Sequence, residues 1–478
     1  MHLWLLTLFV LELLLRLSFV GVVLLRRRPS SQTLAWILLI VGLPLVGTLL
    51  YLMMGEIKMG ARRIRRHREI VNRIQSSAPF VAADRSALRP ELSPTFQQIA
   101  TLGEAVSEVD ALGGNTLKLL GDADLWIDSL IADIDEAQFH CHLLFYIYLS
   151  DHTGSRVGEA LKRAVRRGVA CRVLVDAVGS KPFLRSALRR ELEQAGVKVV
   201  PAMHVNPLQM LFSRIDLRNH RKIVVIDGAI GYTGSYNIAD PAFALKPRFA
   251  PWVDCMVRVQ GPVVWDLQML FVEDWFLDTD ESLEDLLNIQ PLALADGVPA
   301  QVIGSGPNSF NEGLRQLLIA AMYSAREELI LTTPYFVPDE AMLSALSAAA
   351  RRGVETTLVL PARNDSPLVA AASRSHYQYL LDSGVRVHEY RKGLLHAKTI
   401  TVDRKLGIVS TANLDRRSFE LNFEVSLAVF NDDFASQLRF LQSSYLSDSL
   451  QLAVSVWRAR SIPRRLWHSA ASLLSPLL

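Results

Sequence analysis

The sequence predicts an α/β protein built from a duplicated unit and preceded by an N-terminal segment of two apolar, membrane-spanning helices. Three observations carry this. Two long apolar runs fill most of the first 56 residues, strand-like and helix-like stretches alternate from about Ala111 onward, and one spacing of polar residues occurs twice. The expected organisation is a membrane segment over 1–56, a basic juxtamembrane linker over 57–110, a first domain over 111–290, a linker over 291–307 and a second domain over 308–478 that ends in an amphipathic tail.

The apolar runs, Leu3 to Leu25 and Thr33 to Met53, each approach the ~20 residues that cross a hydrocarbon core. Glu12 and Arg16 lie inside the first, where their i, i+4 spacing lets them pair on one face. Gly42, Pro44 and Gly47 interrupt the second, so a kinked or re-entrant helix stands open beside a second full span. A cleaved signal peptide is disfavoured, because no basic stretch precedes the first run and a second apolar segment follows it. Arg26, Arg27 and Arg28 separate the runs, whereas Lys58 and the cluster Arg62, Arg63, Arg65, Arg66 and Arg68 come after them. The larger cluster predicts the cytoplasmic side and places the bulk of the chain there; a re-entrant hairpin would put both basic groups on one side.

The net charge of +3 over 478 residues hides a split: residues 1–68 carry +8 and the remainder −5. A duplex-binding protein concentrates positive charge on its folded body, so the charge split disfavours nucleic acid, and none is expected as a partner. A basic N-terminus beside apolar runs instead suits anionic lipid, or is the ordinary cytoplasmic flank of a membrane helix. A 50% hydrophobic composition excludes intrinsic disorder. Cys141, Cys171 and Cys255 are odd in number and lie in strand-like runs, which argues against a disulfide framework and against zinc. His140-Cys141-His142 reads as a buried strand with both imidazoles on one face, not as a metal cluster.

Within the body, Phe139–Tyr148 has a counterpart in Leu329–Val337. Arg166-Arg167-Gly168-Val169 recurs at Arg351-Arg352-Gly353-Val354, and Ala195-Gly196-Val197-Lys198-Val199 as Ser383-Gly384-Val385-Arg386-Val387. Helix, glycine stop and buried strand are the shared order. The polar repeat H-x-K-x4-D-x6-[GS]-[ST]-x-N appears at His220, Lys222, Asp227 and Asn237, and again at His396, Lys398, Asp403 and Asn413, with a constant offset of 176. An earlier offset of 188 leaves 12 extra residues in the first copy, within Met203–Arg218; a lid or lipid-facing wedge and ordinary packing under a loop are both open.

On a strand, His and Lys two apart point to one face, so each motif aims an imidazole and an ammonium at one spot. Two such pairs facing across a pseudo-twofold axis can bind a phosphodiester. Lys222, Lys398, Asn237 and Asn413 would hold its oxygens, one histidine would attack phosphorus, and the other would protonate the leaving alkoxide, without metal or nucleotide. The sequence has no G-x-x-x-x-G-K-[ST] loop. A neutral, oriented nucleophile needs a carboxylate on its other ring nitrogen. Asp254 and Glu424, each amid apolar residues shortly after a motif, are the candidates: Asp254 for His220 and Glu424 for His396. Asp227 and Asp403 occupy strand-to-turn positions and read as structural. His140, His142, His204 and His376 read as core or supporting residues.

The duplicated signature resembles the phospholipase D superfamily, and within it the bacterial cardiolipin synthase family. The match rests on Asp216–Asn237, Thr332–Pro338, Gly393–Asp403, Asn413–Glu424, Met54-Gly55-Glu56 and the terminal Ser475–Leu478, and it spans essentially the whole chain. The resemblance implies two phospholipase D-type domains, each a mixed sheet flanked by helices. It implies a catalytic set of His220, Lys222, Asp227, His396, Lys398 and Asp403, with His220 as nucleophile and His396 as general acid and base, and a phosphate site of Lys222, Lys398, Ser235, Asn237, Thr411 and Asn413. Ser410-Thr411 stands where the family pattern has Gly-Ser, and the hydroxyl is kept. The implied reaction joins two phosphatidylglycerol molecules into cardiolipin and glycerol through a phosphatidyl-histidine, with no cofactor and no metal. The implied setting is a multi-pass protein of the bacterial inner membrane, with phosphatidylglycerol and anionic lipids as partners; a homo-oligomer is left open. A hydrolase with the same site is the alternative, since both share every step up to the covalent intermediate. Intact His, Lys and Asn in both copies argue against a dead scaffold. The tail from Trp457 to Leu478 would lie in the membrane interface or pack as a terminal helix.

Overall fold

The computed structural model describes residues 2–26, 30–55, 60–77, 85–204, 214, 216–307 and 312–473. They form two bodies, a smaller one of residues 1–64 with 205–217 and a larger one of residues 65–204 with 218–478.

In the smaller body the first apolar run is one helix, His2–Leu24, and its stretch Trp4–Leu24 is long and apolar enough to cross a membrane. Arg16 pairs with Glu12 at 2.6 Å, as their spacing predicts. The second run is not the single spanning helix expected. It breaks at Leu43 into Ser30–Gly42 and Pro44–Leu50, followed by a π turn at Tyr51–Gly55, and neither apolar piece reaches spanning length. The break follows from Pro44, which has no N–H to donate. Tyr51 closes the hairpin, its ring edge-on to Phe19 at 6.2 Å and to Trp36 at 5.3 Å.

The larger body is a three-layer α/β/α structure. Its first half contributes β1 (Leu112–Leu120), β2 (His140–Phe145), β3 (Ala170–Asp176), β4 (Lys198–Ala202), β5 (Arg218–Asn219), β6 (Ile223–Ile226), β7 (Ile230–Gly234), β8 (Trp252–Val253) and β9 (Met256–Gln260). The second half contributes β10 (Val298–Ser305), β11 (Glu328–Thr332), β12 (Phe336–Val337), β13 (Glu355–Pro361), β14 (Arg386–Tyr390), β15 (Leu394–Leu395), β16 (Thr399–Val402), β17 (Leu406–Ser410), β18 (Leu414–Asp415), β19 (Asn422–Val429) and β20 (Ser449–Gln451). One sheet runs through both in the order β20-β14-β13-β11-β16-β17-β19-β10-β1-β9-β7-β6-β2-β3-β4. Reading outward from the β1/β10 seam, the strands from β10 to β14 repeat those from β1 to β4, antiparallel near the seam and parallel farther out, and the second half adds β20 antiparallel to β14 at its edge.

The seam corrects the expected linker over 291–307. That stretch contains β10, the sheet's central strand, paired antiparallel with β1 and with β19. A strand buried on both faces need not alternate, which is why no periodicity marks it. Gly114, at φ 80°, forms a bulge opposite β10 that turns Asn115 inward. The Asn115 amide donates to Leu112 O and Val298 O, and its Oδ1 accepts from Val263 N, so one side chain ties the halves together. The expected linker over 57–110 likewise contains the helices Ala61–Ser77 and Pro94–Ser107. In the former, Arg66 is buried and ion-pairs with Asp280 while Ile70 and Ile74 enter the core; Arg65 and Arg68 are exposed.

One face of the sheet is covered by helices Val263–Thr279 and Asp432–Ser447, whose Phe271, Trp275, Phe434 and Leu438 join residues of both halves in one hydrophobic cluster. Each of these buried side chains contributes about 1.5–3 kcal/mol. The opposite face is covered separately in each half, by Ala123–Glu136 and His152–Arg166 in the first and by Gly313–Ser324 and Glu340–Arg351 in the second. Asp122, Asp151, Asp339 and Asn431 cap helix N-termini with side-chain acceptors.

β2 confirms the buried-strand reading of His140-Cys141-His142. The two imidazoles stack with centroids 4.4 Å apart and share Gln268, while Cys141 enters the cluster on the other face. Cys141, Cys171 and Cys255 are free thiols. His376 is partly buried on helix Pro367–Asp382, whereas His204, read as a core or supporting residue, is exposed two residues past β4. Of the extra segment Met203–Arg218, residues 205–213 and 215 lie outside the described residues, as do Arg27, Arg28, Lys58 and the terminal Ser475–Leu478.

Candidate active site

Both H-x-K motifs begin on two-residue strands that pair with the opposite half. β5 runs parallel to Asn422 and Phe423 of β19, and β15 runs parallel to Trp252 and Val253 of β8. His220 N then donates to Phe423 O at 2.9 Å; His396 N and Ala397 N both donate to Val253 O, at 2.7 and 3.0 Å.

This stitching sets the carboxylate partners, and it reverses the expected assignment. His220 Nδ1 lies 2.8 Å from Glu424 Oε2, and His396 Nδ1 lies 2.8 Å from Asp254 Oδ1. The expectation paired each histidine with the acid of its own half. The parallel strand pairs bring the other half's acid alongside instead. Both carboxylates are buried. Burial alone would raise Glu424, but His220, Lys222 and a 2.5 Å bond from Thr411 Oγ1 hold it at about 2. Asn422 Nδ2 donates to its other oxygen at 3.1 Å. Asp254 is lowered as well: burial opposes, and His396, Lys398 and Ser235 prevail.

An ionised carboxylate only accepts, so each Nδ1 carries the hydrogen and each Nε2 presents a lone pair. Burial pushes His220 down to about 4 against the pull of Glu424, with Lys222 and Lys398 adding to the push. Burial also lowers His396, against Asp254 and with Lys398 and Lys222. Each histidine therefore feels the lysines of both motifs, and the four groups form one site. Aromatic rings bracket it: Tyr146 lies edge-on to His220 at 4.8 Å, and Trp252 tilts against His396 at 4.6 Å.

The lysines are buried beside the histidines. Lys222 Nζ donates to His220 O at 2.8 Å and sits 5.7 Å over the Tyr146 ring; burial brings it down to about 7 against the attraction of Glu424. Lys398 Nζ donates to His396 O at 2.5 Å and lies 3.1 Å from His396 Nε2; burial brings it down to about 8 against Asp254 and Glu424. Asn237 Oδ1 accepts from Ile147 N at 3.1 Å, which leaves its amide hydrogens for a ligand. Asn413 Oδ1 is buried without a hydrogen-bond partner in the protein.

The expectations for Thr411, Ser235, Asp227 and Asp403 are affected by their contacts. The hydroxyl of Thr411 is committed to Glu424 and to the Val425 backbone, and that of Ser235 to the Cys255 backbone beside Asp254. Both support the carboxylates and are corrected from phosphate ligands to supports. Asp227 and Asp403, members of the expected catalytic set, sit at the far ends of β6 and β16 from the histidines. Asp227 accepts from the backbone N–H groups of Gln138, Phe139 and His140, and Asp403 from those of Arg326, Glu327 and Glu328. Both have φ just above 50°, a left-handed turn that Asp tolerates, and the structural reading of these two residues stands.

Sequence reasoning missed Tyr146 and Trp252, Asn422, and a buried support beneath His220. There Arg221 Nη1 bonds Asp274 at 2.9 Å, its Nε donates to Glu424 O at 3.2 Å, and Asn219 Nδ2 also reaches Asp274 at 2.9 Å. The middle residue of the motif was the available signal: Arg221 in one copy, Ala397 in the other.

A family model described as cardiolipin synthase, PLD-like domain, matches residues 130–263 and again 318–441, and one described as phospholipase D-nuclease N-terminal matches residues 15–56. Proteins named cardiolipin synthase A are similar over nearly the whole chain. That of Edwardsiella ictaluri is 38% identical and that of Proteus mirabilis 37% identical, each over 460 residues, covering 95% of this chain and 95% of the relative. That of Serratia proteamaculans is 38% identical over 467 residues with the same coverage. Among solved structures, the phosphatidylserine synthase of Haemophilus influenzae Rd KW20 superposes with a TM-score of 0.61 at 13% identity, over 80% of this chain and all of that one, which is a likeness of fold.

Proposed function

Because this chain belongs to the cardiolipin synthase family of the phospholipase D superfamily, we propose that its buried histidine–lysine site moves a phosphatidyl group from one phosphatidylglycerol to the headgroup hydroxyl of a second, giving cardiolipin and glycerol. The crossed pairs, His220 with Glu424 and His396 with Asp254, are the observation that carries the chemistry.

As the anionic phosphodiester binds, His396 takes up a proton at Nε2 from solvent; His220 Nε2 then attacks phosphorus, the bond to the glycerol oxygen breaks, and His396 gives that proton to the departing alkoxide. The phosphatidyl group is then held on His220. A hydroxyl of the second phosphatidylglycerol passes its proton to His396 and attacks phosphorus, the P–N bond breaks, and the site returns to its starting state. Lys222 and Lys398, with the amides of Asn237 and Asn413, take the charge that builds on the phosphoryl oxygens. The low polarity that brings both lysines down to about 7 and 8 also strengthens their attraction for an anionic phosphate. A phosphodiester is exchanged for a phosphodiester, so no nucleotide is consumed.

Phosphatidylglycerol is a membrane lipid, and the chain is membrane-associated through its N-terminal body. Helix Trp4–Leu24 crosses the bilayer, and the second apolar stretch, broken at Leu43, re-enters and returns. Both basic clusters then share the cytoplasmic side, together with the catalytic body.

The test is product analysis. Purified protein in mixed micelles of labelled phosphatidylglycerol should release cardiolipin and glycerol in equal amounts without added metal or nucleotide. Phosphatidic acid as the sole lipid product would mean that water, not lipid, resolves the intermediate.

A further inference from the structure

The last described helix, Ile462–Ser472, is held to the catalytic body by its small side. Ala471 is buried against Val337, Ala371 and Ala372. Just before it, Trp457 packs on Tyr377 with ring centroids 5.1 Å apart, the Arg460 guanidinium lies 3.7 Å over the Trp457 ring, and Arg458 pairs with Asp382.

The large apolar side chains point the other way. Ile462, Leu466 and Leu473 are 70%, 64% and 79% exposed. At 100° per residue they fall within about 40° of one another, on the side opposite Ala471. A helix that buries alanine and exposes isoleucine and leucine does not owe this orientation to the core of its own chain. The charge around the stripe has one sign: residues 449–478 contain Arg458, Arg460, Arg464 and Arg465 and no acidic residue. Arg464 and Arg465 are exposed on the helix itself, and Trp467, 54% exposed, lines a groove with Arg248, Arg363 and Arg374.

We propose that helix Ile462–Ser472 is a second, peripheral membrane contact of this protein, lying in the plane of an anionic bilayer with Ile462, Leu466 and Leu473 among the acyl chains and Arg464 and Arg465 at the lipid phosphates. Apolar burial and attraction to anionic headgroups act together in such a contact. The helix is fixed to the second half, so it would hold the catalytic body against the surface that carries its substrate. The inference does not depend on the reaction proposed above, because depth in a membrane is read without turnover.

The experiment uses the full chain reconstituted in phosphatidylglycerol–phosphatidylcholine vesicles, with a nitroxide at Leu466→Cys; the native cysteines are all buried. Oxygen should reach this label more readily than an aqueous nickel chelate, and the preference should fall in vesicles of phosphatidylcholine alone. A label at the exposed Arg190→Cys should stay aqueous in both. Ile462→Cys, one turn away, gives the same reading should Leu466→Cys disturb the fold. A Leu466 or Ile462 label as aqueous as that at position 190 overturns the proposal. So does spin–spin broadening that persists in detergent and grows with protein concentration, which would assign the stripe to a second copy of the chain.

Discussion

His220 of the first half is held by Glu424 of the second, Nδ1 to Oε2 at 2.8 Å, and His396 by Asp254 in the reverse sense. Neither half therefore contains a complete histidine–carboxylate pair. Each supplies an imidazole and, through the parallel pairs β5·β19 and β15·β8, the carboxylate that orients the imidazole of the other. On the proposed mechanism the duplication is functional as well as architectural, because a single unit would leave its nucleophile without a partner.

Glu424→Gln follows directly. An amide at this position can donate to Nδ1, which favours the tautomer with hydrogen on Nε2 and removes the attacking lone pair. The variant should fold, retain its KM for phosphatidylglycerol and lose about 100-fold or more in kcat. Initial rates in mixed micelles measure the split, and a loss confined to KM would count against the role given to Glu424.

Asp227 and Asp403 should behave differently despite belonging to the repeated signature. Each carboxylate accepts several backbone N–H groups at a strand start. Asp227→Ala should lower stability by about 2–4 kcal/mol, from the donors left unpaired. Urea denaturation reads this, and the activity of the folded fraction should fall far less than in Lys222→Ala.

The lysines set the alkaline side of the pH profile. Free Lys222 and Lys398 lose their protons near 7 and 8, so kcat/KM should decline as pH rises through this range while KM increases. His220 stays neutral down to about 4, so the nucleophile itself imposes no loss between pH 7 and 5. Initial rates at low substrate from pH 5 to 9 test both statements.

Stability should follow the histidines. His140, His142, His220 and His396 are all lowered below their ordinary value of 6.5, burial being the largest cause for each. The unfolded chain then binds more protons at these histidines than the folded one as pH falls from 6.5, so their contribution to stability is full above 6.5 and declines toward pH 4. Thermal melts at pH 7.5 and 5 should show a lower Tm at the acidic value.

Much of this was legible in the sequence, because the signal was repeated and chemical. The two motifs and the strand-to-turn aspartates share one offset of 176 and the orienting acids follow at 170, and an offset is a one-dimensional quantity that survives folding. Which acid meets which histidine is not encoded that way. Asp254 and Glu424 each follow their own motif closely in sequence, and the two-residue strands that cross them over are too short for any periodic signature. β10 was hidden for another reason: a central strand that itself contains Pro299 and Gly304 reads as a linker until β1 and β19 are seen on either side. Tyr146 and Trp252 were passed over because an aromatic residue near a strand looks the same in sequence whether it packs a core or brackets a catalytic ring.

The most direct test of the account is to locate the covalent intermediate. His396→Ala, incubated with labelled phosphatidylglycerol, denatured and digested under alkaline conditions that spare phosphohistidine, should carry the label on the peptide containing His220, and His220→Ala should carry none. A label on the His396 peptide in His220→Ala would contradict the assignment of nucleophile, and cardiolipin formed without any labelled peptide in the wild-type chain would contradict the covalent mechanism itself.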